Sequence, residues 1–311
     1  MSARSFPFRI DHRAIMNKLK NVVVGIDFST RSKSALIKAA RLARQNEAQL
    51  HVIHVVEEEY AEDLARHERR SPDDIRKELK ASADKTMTTW TEEIDLSPGT
   101  SSGVVYGHPV EELVRKVDET NAELLVAGVR GIFNDATGAG AQATRLVRRA
   151  PCKVLLVEEG QAEAFQSVVA AIDFSATSER VAEQAVHVAG LDGSELHFLH
   201  IYSAPWEKFH YLHDPNYSTA FRESYAGDLE RQLREFVGDT GTAKVSFHLR
   251  HHQQGGQGIN EFCAEKDADL VIMGTRGRTS LKYLVMGSTA EQLLSQRPCS
   301  VLTVPPPAWF G

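Results

Sequence analysis

Gly274 and Gly277 bracket a turn, and after nine more residues Gly287, Ser288 and Thr289 stand at the head of the helix-like stretch STAEQLL. Phosphate binding needs such parts. Glycine lets backbone N–H groups come close to an anion, and a helix start offers unpaired donors and the positive end of a dipole. The hydroxyls of Ser288 and Thr289 can donate to phosphate oxygens, and Arg276 or Arg278 can add positive charge. A structural reading fits the same residues: Ser288 and Glu291 form S-x-x-E, a capping box, and the glycines can simply make turns. Farther back, Asp173 directly follows the apolar run 168–172, which puts a carboxylate at the end of a strand.

Most of these features occur twice. NVVVGIDFS (21–29) recurs as SVVAAIDFS (167–175), and AQLHVIHV (48–55) as SELHFLHI (194–201). ELLVAGVRG (123–131) recurs as DLVIMGTRG (269–277), and APCKVLLV (150–157) as RPCSVLTV (297–304). Asp27 and Asp173, His54 and His200, and Gly128 and Gly274 share one offset of about 146 positions, while Cys152 and Cys299 lie one residue farther apart. Landmarks in one order at one spacing mark a duplicated unit of domain size rather than a solenoid repeat. We assign 1–19 to an N-terminal extension, with Met1 or Met16 as the start, and 20–158 to a first domain. A polar linker (159–166), a second domain (167–305) and a tail (306–311) follow.

Each unit repeats one order of elements. A short apolar run (22–26 or 168–172) reads as a strand buried on both faces, and an Ala/Leu-rich helix such as 34–45 follows it. Next come a second strand (50–55 or 196–201) and a long polar helical stretch (60–95 or 215–238). A third strand, a helix, a fourth strand, a glycine loop, a helix and a fifth strand complete the unit. Alternating strands and helices predict an α/β fold: two tandem domains, each a five-stranded parallel sheet with helices on both faces. Ligands of such sheets bind beyond the carboxyl ends of the strands, where Asp173 and the glycine loop fall.

The bulk properties exclude several classes. Among 311 residues, 42% are hydrophobic and 25% charged, as in globular proteins. A net charge of −6 disfavours general affinity for nucleic acid or anionic membrane, and no apolar run approaches the length of a membrane span. Three cysteines without a C-x-x-C pair fit a reducing cytoplasm. No P-loop, G-x-S-x-G or H-E-x-x-H motif occurs. The paired histidines His51/His54 and His197/His200 point to opposite strand faces, so they read as scaffold rather than metal ligands. His210 and His213 can share a metal only if helical, and the loop reading is preferred.

The combination G-x-x-G-x9-G-S/T after a fourth strand, IDFS after a first strand and GSTAEQLL at 287–294 resembles the universal stress protein family, in its tandem two-domain form. The resemblance runs from about residue 20 to 305. It implies strand order 3-2-1-4-5 and bound ATP or a related adenine nucleotide (AMP or ADP), with Mg2+ as a further candidate. Asp173 and the backbone at Ile201 would then meet the adenosine. Gly274 would lie by the ribose, and Gly277, Gly287, Ser288 and Thr289 would hold the phosphates. It also implies pairing of the two repeats through fifth strands, 153–158 against 300–305, with a homodimer of tandem chains as a further arrangement.

The first unit departs from this pattern. Asp27, Gly128, Gly131 and Gly140 remain, but the loop is one residue shorter and Ala141 and Gln142 replace the hydroxyl pair. Each lost partner should weaken phosphate binding by roughly 1–3 kcal/mol, so one site per chain is expected. The leading expectation is a regulatory or protective nucleotide-binding protein with no assigned catalytic residue and at most weak ATP hydrolysis. The alternatives are an ATP-consuming transferase or pyrophosphatase, whose H-x-G-H or SGGxDS motifs are missing, and an interaction scaffold without nucleotide.

Overall fold

The structure is a computed structural model. It describes residues 19–128, 139–161, 163–203, 219–241, 244–277, 286–296 and 299–307. The chain divides into two compact units, with the main division between Glu163 and Ala164 and with Ser300–Leu302 grouped with the first.

In the first unit, β1 (Asn21–Ile26), β2 (Gln49–Glu57), β3 (Ser101–Gly107), β4 (Leu124–Gly128) and β5 (Lys153–Val157) lie in the order β3-β2-β1-β4-β5. All four neighbouring pairs are parallel. The helices are α1 (Thr30–Asn46), α2 (Glu58–Glu68), α3 (Pro72–Glu93), α4 (Pro109–Thr120) and α5 (Ala139–Arg149). Connections β1→β2 and β2→β3 step one way along the sheet, whereas β3→β4 and β4→β5 step the other way. Right-handed crossovers therefore put α1, α2 and α3 on one face and α4 and α5 on the other. The strand order reverses between β1 and β4, which opens a crevice at their carboxyl ends. Val22, Val23, Val24, Leu125 and Val126 are fully buried, as continuous apolar runs in a two-sided sheet require.

The second unit repeats the plan. Strands β6 (Ser167–Ala171), β7 (Glu195–Tyr202), β8 (Lys244–His251), β9 (Leu270–Gly274) and β10 (Ser300–Val304) take the order β8-β7-β6-β9-β10. Pairs β6–β7, β6–β9 and β7–β8 are parallel. Its helices are α6 (Ala176–Asp192), α7 (Thr219–Val237), α8 (Gly255–Glu265) and α9 (Ser288–Gln296). The expected strand order holds in both units.

The polar stretch read as one helix over 60–95 is two. Arg69 ends α2 in the left-handed conformation (φ 55°), and Pro72 opens α3 after an extended Ser71. Proline disfavours helical angles in the residue before it but suits a first helical position, so Pro72 both breaks and restarts the helix.

The end of the first unit is tied to α1. Lys38, fully buried, donates through Nζ to the Glu163 carbonyl. The Gly160 N–H donates to Ser34 Oγ at 3.2 Å, and Arg31 pairs with Glu159 at 3.3 Å.

Candidate functional site

The IDFS segment makes the same turn in each unit. Phe28 and Phe174 adopt the left-handed conformation (φ 62° and 61°), which costs a non-glycine residue roughly 1–2 kcal/mol. Ring packing offsets this: each phenylalanine lies 4.4 Å from a histidine ring, Phe28 on His54 and Phe174 on His200. Those histidines donate through Nδ1 to the carbonyls of Ile26 (2.9 Å) and Ile172 (2.7 Å), locking β2 to β1 and β7 to β6. They are scaffold groups, as is His51, whose Nδ1 meets Ser101 Oγ at 2.8 Å.

The turn aims the aspartate. Asp173 Oδ1 accepts from the Ser175 N–H (3.0 Å) and from Ser178 Oγ (2.6 Å), while Ser175 Oγ caps α6 through the Ser178 N–H. In the first unit the wiring differs: Asp27 Oδ1 accepts both bonds from Ser29.

Around Asp173 the second unit opens a cavity of about 840 Å³ at the carboxyl ends of β6, β7 and β9. Asp173, Ile201, Gly274, Arg276, Gly277, Gly287, Ser288 and Thr289 all line it, residues far apart in sequence. Arg278 lies outside the described residues, as do Gly131, His210 and His213. Gly128 is buried in β4, where a Cβ would come within 2.8 Å of the Arg31 backbone, and Gly140 falls inside α5.

The loop after β9 and the start of α9 differ in detail from the simplest reading of the glycines. The Gly287 N–H donates to the Thr275 carbonyl (3.0 Å), so it is already used. The Glu291 N–H donates to the Gly287 carbonyl (3.0 Å), which makes Gly287 the cap position and Ser288 the first helical residue. The S-x-x-E pattern therefore does not form a capping box with Ser288 as cap. Instead, the amides of Ser288, Thr289 and Ala290 are those of the first turn, the ones a helix leaves without intrahelical acceptors. Among the described residues, neither the Ser288 nor the Thr289 hydroxyl has a hydrogen-bond partner.

Gly287 contributes space. Among the described residues a Cβ there would meet nothing closer than 3.7 Å, and its φ is not positive, so the backbone angles are open to other residues. Gly277 is tighter, because a Cβ would come within 2.6 Å of Asp173 Oδ2.

The profile of the Universal stress protein family matches residues 18–158 and again 164–305. The chain belongs to the universal stress protein family. A putative universal stress protein of Staphylococcus saprophyticus is 24% identical over 140 residues, 45% of this chain and 83% of that protein. The universal stress protein E homolog of Haemophilus influenzae is 27% identical over 174 residues, 52% of this chain and 55% of its own length. Among solved structures, a functionally unknown protein of Pseudomonas aeruginosa PAO1 shares the fold over 96% of both chains (TM-score 0.67, 17% identity). Another solved universal stress protein, matched over 46% of this chain (TM-score 0.35, 20% identity), is in complex with cAMP.

In this universal stress protein, sequence reasoning missed several cavity residues. Gly255 and Ile259 of α8, Met273 and Met286 also line the cavity. The run GGQG at 255–258 reads as loop in the sequence and gave no signal of this contact. A Cβ on Gly255 would lie 3.1 Å from Thr289 Oγ1 and one on Gly256 2.7 Å from Gln292 Cβ, so these glycines let α8 approach α9.

Proposed function

We propose that the second unit binds ATP or a related adenine nucleotide, with or without Mg2+, and that its occupancy sets conformation or partner choice in a regulatory or protective stress role. One observation carries the reading: Asp173, the β9 loop and the start of α9 converge on a single cavity where two hydroxyls have no partner within the described protein. The adenosine lies against Asp173 and the backbone at Ile201, the ribose by Gly274. The phosphates lie between Gly277 and the first turn of α9, where the amides and the helix dipole favour negative charge.

The test is an ATP titration of the full chain by calorimetry, alongside Gly287→Val. The variant should keep native circular dichroism, because a Cβ at Gly287 has room among the described residues, and lose ATP binding, because Gly287 lines the cavity and a branched side chain there takes ligand space. A folded variant with unchanged affinity would reduce the loop to a turn and a helix start, and the scaffold reading would lead.

A further inference from the structure

Two imidazoles meet on the β7–β8 pair of the second unit, and neither lines the cavity at Asp173. His197 of β7 stands in register with Ser246 of β8, and His248, two residues on, shares the face of Ser246. His197 Nδ1 and His248 Nε2 lie 3.3 Å apart. Both converge on Ser246 Oγ, at 2.7 and 2.8 Å. Phe262 of α8 covers the group, with its ring 4.8 Å from that of His248. His197 is buried, whereas Ser246 and His248 are half-buried, so the group is open from the side of β8, the outer strand of this unit.

The first unit supplies a comparison. His51 stands in register with Ser101 and bonds it in the same way, but Gly103 takes the place of His248. The sheet therefore needs the histidine–serine bond and not the second imidazole.

The separation of the two nitrogens has a chemical meaning. Zinc bonded tetrahedrally to two imidazoles at 2.0–2.1 Å holds their nitrogens about 3.3–3.4 Å apart. Two N–H groups facing each other at that distance would repel, so at least one facing nitrogen carries a lone pair. The second lone pair needs only a tautomer with its proton on the far ring nitrogen. The nearby charges balance: Lys266, Arg250 and Arg234 against Glu265, Glu230 and Glu195. Arg250 is held by Glu265 and Arg234 by Glu230. Among the described residues no set of three histidine, cysteine or carboxylate side chains converges on a metal position, so water fills the remaining coordination positions.

We propose that His197 Nδ1 and His248 Nε2 chelate a divalent late first-row transition-metal ion of the zinc class. The ion takes the point on which both nitrogens converge, and the Ser246 hydroxyl gives way by turning about its Cα–Cβ bond. Imidazole suits zinc, copper and nickel, whereas Mg2+ prefers oxygen ligands and does not compete. The bound ion ties outer strand β8 to β7.

The test is a zinc titration of the full, chelator-stripped chain by calorimetry without nucleotide, which keeps it independent of the ATP reading. His248→Gln, at a half-buried position of an outer strand, should keep native circular dichroism and weaken zinc binding at least roughly tenfold. Ser246→Ala should bind zinc as tightly as the parent or more tightly, because the competing hydroxyl is gone. A merely structural cluster would not give that result. In the parent, 15N spectra of the histidine rings should show zinc shifting His197 Nδ1 and His248 Nε2, and Mg2+ at the same concentration leaving them in place. Absence of these shifts, or a folded His248→Gln that binds zinc like the parent, overturns the proposal. Loss of zinc binding in Ser246→Ala also overturns it, by making the hydroxyl rather than the imidazole pair the deciding group.

Discussion

A Cβ on Gly277 would come within 2.6 Å of the Asp173 carboxylate, whereas one on Gly287 would meet, among the described residues, only ordinary van der Waals neighbours. The two glycines should therefore respond differently to the same small change. Gly277→Ala should destabilise the second unit by about 1–3 kcal/mol, since either the loop or Asp173 must shift. Gly287→Ala should stay within about 0.5 kcal/mol of the parent. Urea denaturation of both variants without nucleotide checks this, and equal losses would count against the geometry. Ser288→Ala should weaken ATP binding less than Gly287→Val, because the backbone amides of the first turn remain. It should cost little stability, because Ser288 is not the cap. At this scale the sequence did not mark the apolar lining residues Ile259, Met273 and Met286, but it did mark Asp173, Ile201 and the polar and glycine positions of the β9–α9 loop. It could not assign their jobs. Whether Gly287 offers a donor or only room depends on the Thr275 carbonyl, and only the folded loop brings that group within 3.0 Å of its N–H.

Among the elements, the strands were legible because a sheet buried on both faces demands unbroken apolar runs, and the runs at 22–26 and 168–172 supplied them. The α2–α3 break was legible in principle at Pro72. It was missed because the polar face continues across it without a change in composition. The packing of α8 on α9 was not legible, since GGQG reads as loop until its glycines are seen against Thr289 and Gln292. The β7–β8 pair holds a further feature of the second unit. His197 Nδ1 lies 2.7 Å from Ser246 Oγ, and His248 Nε2 lies 2.8 Å from the same oxygen. Phe262 of α8 covers His248, whose neighbours include Lys266, Arg250 and, on the opposite sign, Glu230. Burial, followed by His197 and these cations, pushes His248 from its ordinary 6.5 down to about 4. The unfolded chain therefore takes up a proton near pH 6.5, and the native chain only near pH 4. Stability is fully present above about pH 6.5 and declines as the pH falls toward 4. His248→Gln should flatten that part of the curve in denaturation series across this range, and an unchanged slope would remove His248 from the account.

At the scale of the whole molecule, the duplication has kept one part of each unit and changed another. Both units retain the Asp-Phe-Ser turn with its left-handed phenylalanine and histidine stack, so that turn serves the sheet irrespective of the ligand. The hydroxyl pair remains only in the second unit. Calorimetry on the intact chain should accordingly give one ATP per chain, and the isolated second unit should retain it. Tight ATP binding by the isolated first unit would show that the lost hydroxyls matter less than argued.

How the chain is cut for that experiment matters. The segment after β5 is fastened along α1, with the ammonium of fully buried Lys38 on the Glu163 carbonyl and Ser34 on the Gly160 amide. A fragment ending at residue 158, where the sequence suggests the strand stops, would strip an acceptor from a cation inside the protein. Such a loss is costly, because a buried charge then lacks a partner it was folded around. A fragment that ends after Glu163 keeps the fastening. Proteolysis should report the difference, with the shorter piece degraded faster under conditions that leave the longer one whole. Between β5 and β6, then, the chain is partly an edge of the first unit's interior, and a fusion partner or cleavage site placed there would act on Lys38.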